Sequence, residues 1–120
     1  MTRLTRPQTI KAIRKLREWE RKNLPLYGTD AGYDLFLELA ALDVNQGVSL
    51  KNLYLSLDYA ESTIRLLFRN LEQDGWLELT KGNADGRHRT FHRTEKFDHK
   101  VMDWVNVIAA LFSPKATPQN

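Results

Sequence analysis

Tyr59-Ala60-Glu61-Ser62-Thr63-Ile64-Arg65-Leu66-Leu67-Phe68-Arg69-Asn70-Leu71-Glu72-Gln73-Asp74-Gly75-Trp76-Leu77-Glu78-Leu79 contains a helix, a stop and the start of a strand. Ile64, Leu67, Phe68 and Leu71 stand at i, i+3, i+4 and i+7, one narrow apolar stripe, so a helix is expected from about Ala60 to Asp74. Gly75 is placed to take the left-handed conformation that ends it. Trp76 to Thr80 then reads as a strand, Gly82-Asn83-Ala84-Asp85-Gly86 as a loop, and Arg89 to Arg93 as the returning strand.

Upstream, Pro7 suits the first turn of a helix running to about Lys22, with Ala12, Ile13, Leu16 and Trp19 as a partial apolar stripe. Asn23 to Asp30 reads as a loop. A second helix is expected from about Ala31 to Val44, carrying Leu35, Phe36, Leu39 and Leu42 and ended by Asn45-Gln46-Gly47. Ser49 can cap a short third helix through about Ser56, with Leu50, Leu53 and Tyr54 inward. Downstream, Thr94 can cap a last helix with Glu95 in its first turn. Phe97, Val101, Trp104, Val105, Ile108, Leu111 and Phe112 lie along one side of that helix.

The expected architecture is therefore mainly α with a small β-hairpin wing, a winged helix-turn-helix flanked by two terminal helices. Its parts are a basic N-terminal helix (1–23), the winged helix-turn-helix (31–94), a C-terminal helix (95–112) and a disordered tail (113–120).

The chain has 120 residues, enough for one compact core, and 42% of them are hydrophobic. Cysteine is absent, which excludes disulfides and thiolate chemistry. Nothing at the start resembles a signal peptide and no run would span a bilayer, so the expected location is cytoplasmic, with no membrane partner, and nucleoid-associated when bound to DNA. The net charge of +3 is unevenly spread. Residues 1–23 carry +6 (eight Lys/Arg, two Glu), residues 24–80 carry −6 (three basic, nine acidic) and residues 81–100 carry +3. A polyanion can meet such a chain only through selected faces.

At about 100° per residue, the side of the fourth helix opposite its apolar stripe carries Ser62, Leu66, Arg69 and Gln73, with Arg65 on the flank. Arg65 and Arg69 suit guanine edges or phosphates, and a bidentate Arg–guanine contact discriminates by roughly 1–3 kcal/mol. Ser62 and Thr63 lie where first-turn hydroxyls and free N–H groups suit a phosphate. Leu66 is either incidental or an apolar contact to a thymine methyl. The alternative reading of the two arginines is plain solvated charge.

The stretch from Ser62 to Glu72 followed by Gly75-Trp76-Leu77 resembles the recognition helix of MarR-type transcriptional regulators. Asp85-Gly86-Arg87-His88-Arg89 and then Thr94-Glu95-Lys96 are similar to that family's wing and wing exit. The resemblance covers about Leu35 to Lys96. It implies that Arg87 reaches into a minor groove while Asp85 orients the wing, with His88 and Arg89 as further wing contacts. Electrostatic focusing in a narrow groove favours an arginine there. The chain departs from the pattern at Asp58 (usually Gly), Ala60 (usually a capping Ser), Glu61, Leu66, Arg93 and Phe97.

The resemblance also implies a homodimer in which the terminal helices interlock. It would read a pseudo-palindrome with half-sites about one helical turn (roughly 34–36 Å) apart. Leu16, Trp19, Val101, Trp104, Val105, Ile108, Leu111 and Phe112 are the expected dimerisation residues. The alternative is that both helices pack within one monomer. The basic side of the first helix reads as solvated rather than as a DNA contact.

Catalysis is not expected. His88 and His92 have a helical metal-ligand spacing, but along a strand i and i+4 lie about 13 Å apart. No P-loop, nucleophile elbow or zinc motif occurs, and no cofactor or metal is expected. The reading is a sequence-specific double-stranded DNA-binding regulator, a repressor, acting as a homodimer, with a small-molecule effector of unknown kind implied by the family. A winged-helix protein-interaction module, or a DNA-binding protein of plasmid replication or partition, are the alternatives.

Overall fold

Chain order in the computed structural model is α1 (Arg6–Asn23), α2 (Asp30–Ala40), α3 (Leu50–Ser56), α4 (Glu61–Gln73), β1 (Leu77–Thr80), β2 (Thr90–Arg93) and α5 (Glu95–Leu111). The structure describes residues 3–43, 46–80 and 90–114. The chain divides into two units, Pro25–His99 and the pair of segments Met1–Leu24 and Lys100–Asn120. The expected tail falls largely on 115–120, outside the described residues.

Local chemistry accounts for most boundaries. Thr5 caps α1 reciprocally with Gln8: each side chain takes up the other's backbone N–H, at 3.2 and 2.8 Å. Thr29 caps α2 through the Gly32 N–H, and Ser49 caps α3 through the Asn52 N–H. Ala60 precedes α4 with no side-chain cap. Gly75 takes φ +81° after α4, with the Trp76 N–H on the Leu71 carbonyl and the Gly75 N–H on the Glu72 carbonyl. That pair of bonds closes a helix end around a left-handed residue, which costs glycine no Cβ clash. Trp76 belongs to this turn, so β1 starts one residue later than expected. Among the described residues only Leu26 and Gly75 have positive φ, so Asp58 makes its turn without the left-handed conformation.

The winged helix-turn-helix unit packs α2, α3 and α4 against the hairpin. Leu35, Phe36, Leu39, Leu53, Ile64, Phe68, Leu71, Leu77, Phe91 and Phe97 form its buried interior. Phe68 meets Phe91 edge-on at 4.4 Å, and Phe97 stands 5.4 Å from Phe36. β1 and β2 pair antiparallel, Leu77 opposite Arg93 and Thr80 opposite Thr90. Val48 adds a third edge that the sequence reading missed, exchanging two 2.9 Å backbone bonds with Phe91. Gly47 permits that approach. A Cβ there would stand 2.3 Å from Thr90 Cγ2.

The second helix ends at Ala40, four residues before the expected Val44. Arg93, distant in sequence, caps this end: its guanidinium donates to the carbonyls of Leu39 (3.0 Å), Leu42 (2.8 Å) and Asp43 (3.2 Å), at and just beyond the last turn of α2.

In the other unit α1 contributes buried Ala12 and Glu20. The Trp104 indole N–H donates to Glu20 Oε2 at 2.9 Å. No helix among the described residues is long and apolar enough to cross a membrane.

Candidate nucleic-acid interface

Burial of Ile64, Phe68 and Leu71 decides which side of α4 is left outside. Ser62, Thr63, Arg65, Leu66, Arg69 and Gln73 are all exposed, Leu66 by 54%. The five expected helix residues therefore share one accessible face of a rigid element. Ser62 and Thr63 sit in the first turn, which has no side-chain cap; the Thr63 N–H donates to the Ala60 carbonyl at 3.0 Å.

Arg65 and Arg69 differ in their surroundings. Arg65 ion-pairs with Glu61 at 2.9 Å, and its Nε approaches the Tyr54 hydroxyl at 3.4 Å. The Tyr54 contact first, and the Glu61 charge after it, hold the Arg65 pKa above its ordinary value. The pair is exposed on both sides, so it is weak and easily exchanged for a phosphate. Arg69 makes no ion pair among the described residues. Both arginines line an open cleft of about 360 Å³ with Leu50, Phe68, Glu72 and Phe91. The aromatic floor belongs to the interior and the charged rim to α4.

Tyr54 is the residue at this face that sequence reasoning missed. Its helical spacing places it inward, but the packing of α3 beside α4 leaves its hydroxyl at the Arg65 side chain. The described part of the face is electrically balanced, Arg65 and Arg69 against Glu61 and Glu72. Residues 81–100 carry +3 and residues 1–23 carry +6 in the sequence.

Asp85, Arg87, His88 and Arg89, the expected wing contacts, lie outside the described residues. The base of the wing is described. Thr80 Oγ1 and His92 Nδ1 are 2.6 Å apart across the two strands, so the His92 ring is held at the hairpin. At the exit, Thr94 accepts from the Phe97 N–H and donates to the Gly75 carbonyl, tying the first turn of α5 to the end of α4. Lys96 closes the same corner, with Nζ on the Asp74 carbonyl at 2.7 Å and 4.3 Å above the Trp76 ring.

Of the expected dimerisation residues, Leu16, Trp19, Val101, Trp104, Ile108, Leu111 and Phe112 are half-buried within the single chain, and Val105 is 46% exposed. Met102, one turn before Val105 along α5, is 57% exposed. Among the described residues no cluster of His, Asp or Glu could hold a metal ion.

No protein-family model and no curated protein matches the chain by sequence. Solved structures match it by fold. MarR from E. coli in its apo form superposes with a TM-score of 0.59 at 17% identity, over 84% of this chain and 70% of that one. The transcriptional regulator Tm0710 from Thermotoga maritima gives 0.60 at 20% identity, over 86% and 68%. MepR, a transcription regulator of the Staphylococcus aureus multidrug efflux pump MepA, gives 0.58 at 17%, over 88% and 77%. The chain therefore has the winged-helix fold of MarR-type regulators.

Proposed function

We propose that the protein is a sequence-specific double-stranded DNA-binding transcriptional regulator that acts as a homodimer and represses by occupying a pseudo-palindromic operator. The observation that carries this reading is the exposed face of α4, where Ser62, Thr63, Arg65, Leu66 and Arg69 stand together on a helix anchored by Ile64, Phe68 and Leu71. A helix held in this way can enter a major groove without rearranging its side chains. Arg69 suits a base edge because no ion pair competes for it among the described residues. Arg65, Ser62 and Thr63 suit phosphates. Asp85, Arg87, His88 and Arg89 are assigned to the wing contact, supplying the positive charge that α4 lacks.

Leu16, Trp19, Val101, Trp104, Val105, Ile108, Leu111 and Phe112 are assigned to a dimer interface. Met102 and Val105 support this assignment, since two neighbouring apolar side chains left in water cost roughly 25 cal/mol for each Å² of apolar surface. A dimer of this kind would place two α4 faces on one duplex, and the location would be cytoplasmic. The parts are a basic helix (1–23), the DNA-binding region (31–94), the dimer helix (95–112) and a tail (113–120).

Selection of binding sites from a pool of random duplexes tests the reading. The expected result is an inverted repeat with half-sites about one turn (roughly 34–36 Å) apart. Recovery of no preferred sequence would overturn it in favour of a protein-interaction role.

A further inference from the structure

The exposed side of α1 takes no part in the DNA contact proposed above. At about 100° per residue, Arg6, Ile10, Arg14, Arg17 and Arg21 fall within an arc of about 80°. Lys11, Lys15 and Lys22 occupy the adjoining arc. All of these are exposed, Ile10 by 51%. Among the described residues none of the four arginine side chains makes an ion pair. Arg6, Pro7, Lys11 and Arg14 surround Ile10 in an open hollow of about 400 Å³. Arginine on one arc and lysine on the next is a meaningful separation. Guanidinium forks form directed pairs with carboxylates or phosphates, whereas lysine is a hydrated point charge.

The counterpart is in the chain itself. On α2, Asp30, Asp34, Leu37 and Glu38 fall on one exposed arc of about 100°. Leu37 is 37% exposed amid the carboxylates, as Ile10 is amid the arginines. Asp34 already accepts from the Tyr59 hydroxyl, and Asp30 and Glu38 have no ion pair among the described residues. The segments bearing the two faces have equal and opposite formal charge, +6 for residues 1–23 and −6 for residues 24–80. A phosphate backbone would complement the arginines but gains nothing from an isoleucine in their midst. An acidic helix with an apolar centre complements both.

We propose that the arginine face of α1 on one molecule docks on the acidic face of α2 on a second copy. The contact is proposed as head-to-tail: each copy offers its arginine face to one neighbour and its acidic face to another, whereas in a two-fold dimer the two faces of a pair would meet reciprocally. Exposed ion pairs are individually weak and screened by salt. The association therefore acts where copies are already concentrated. If the protein binds DNA as proposed, adjacent sites would be filled cooperatively, but the contact itself does not depend on that reading.

Sedimentation velocity of the full chain without DNA tests it, in about 0.1 M and about 1 M salt, where the screening length falls from about 10 Å to about 3 Å. Species larger than a dimer are expected at the lower salt and are expected to vanish at the higher. Arg14→Glu with Arg17→Glu should abolish them, and so should Asp30→Lys with Glu38→Lys. Mixing these two doubly reversed variants should restore them, because each then meets its opposite charge. Circular dichroism of each variant reports whether it folds. If one fails to fold, Ile10→Ser and Leu37→Ser probe the same contact and should each reduce the large species. Wild-type protein that never exceeds a dimer, or a mixture that stays unassembled, would overturn the proposal. So would loss of affinity for a single short duplex in the arginine variant with assembly unchanged, which would make α1 a nucleic-acid contact instead.

Discussion

Arg93 Nε lies 3.1 Å from Asp98 Oδ1, and the other nitrogens of the same guanidinium donate to the carbonyls of Leu39, in the last turn of α2, and of Leu42 and Asp43 just after it. The Arg93 side chain is 8% exposed and that of Asp98 49%. One planar cation thus joins the end of a helix, the base of the wing and the start of α5. Removing a buried charge that satisfies several carbonyls is far more costly than removing its half-exposed partner. Arg93→Leu is expected to lose about 3 kcal/mol of unfolding free energy. Asp98→Asn should lose about 1 kcal/mol or less. Urea denaturation of both variants measures the difference; equal, small losses would show that the clamp contributes little.

Tyr59, at the turn before α4, donates its hydroxyl hydrogen to Asp34 of α2, and its pKa is pushed up to about 12. The hydrogen bond to Asp34 is the largest cause, followed by desolvation and the charges of Asp34, Asp30 and Asp58. An unfolded tyrosine ionises near pH 10. The neutral phenol is the form favoured by folding, so its contribution is complete below about pH 10 and disappears as pH rises through about 12. Denaturation midpoints should fall across that window in the wild type. In Tyr59→Phe the fall should be smaller.

On α4 the two arginines should separate in a binding assay. Arg69→Ala is expected to lose about 1–3 kcal/mol against the preferred site and to relax base preference. Arg65→Ala should weaken all duplexes alike and lower the slope of log affinity against log salt by about 0.9. Glu61→Gln removes a carboxylate and releases Arg65, so affinity should rise about two- to fivefold, the worth of one exposed pair. A decrease would mean that Glu61 has a positive role at the DNA.

The dimer is best tested at Val105 rather than Trp104. The Trp104 indole is held by buried Glu20 inside its own chain, so an acidic substitution there would unsettle the protomer before it reached a partner. Val105 is 46% exposed. Val105→Asp is expected to keep its circular dichroism and, at about 1 M salt, to sediment as a monomer where the wild type is a dimer. Wild-type protein that is already monomeric at micromolar concentration would remove the dimer from the proposal.

Most of α4 and its surroundings could be read without coordinates, because the signals are local. The stripe of Ile64, Phe68 and Leu71, the stop at Gly75 and the cap at Thr94 each act within a few residues, as helical periodicity and capping require. The outward direction of Ser62, Leu66 and Arg69 followed from the same periodicity. The capping of the α2 end did not, since its donor, Arg93, lies 54 residues from Leu39. Val48 carries no local strand signal, and its edge comes from pairing with the distant Phe91. Tyr54 was assigned inward because helical spacing on α3 alone cannot show what α4 leaves beside it.

The amino-acid sequence by itself determined which segments are helices and strands, which side of each is apolar and which side of α4 is free. Those properties depend on side-chain order along one segment. Only the tertiary structure decided that Arg93 would be a clamp, that Glu20 would be buried against Trp104 84 residues away, and that among the described residues Arg65 but not Arg69 would be held in an ion pair. Polar groups at these places needed partners to leave water. Chain folding, rather than local order, determined which groups came close enough to serve.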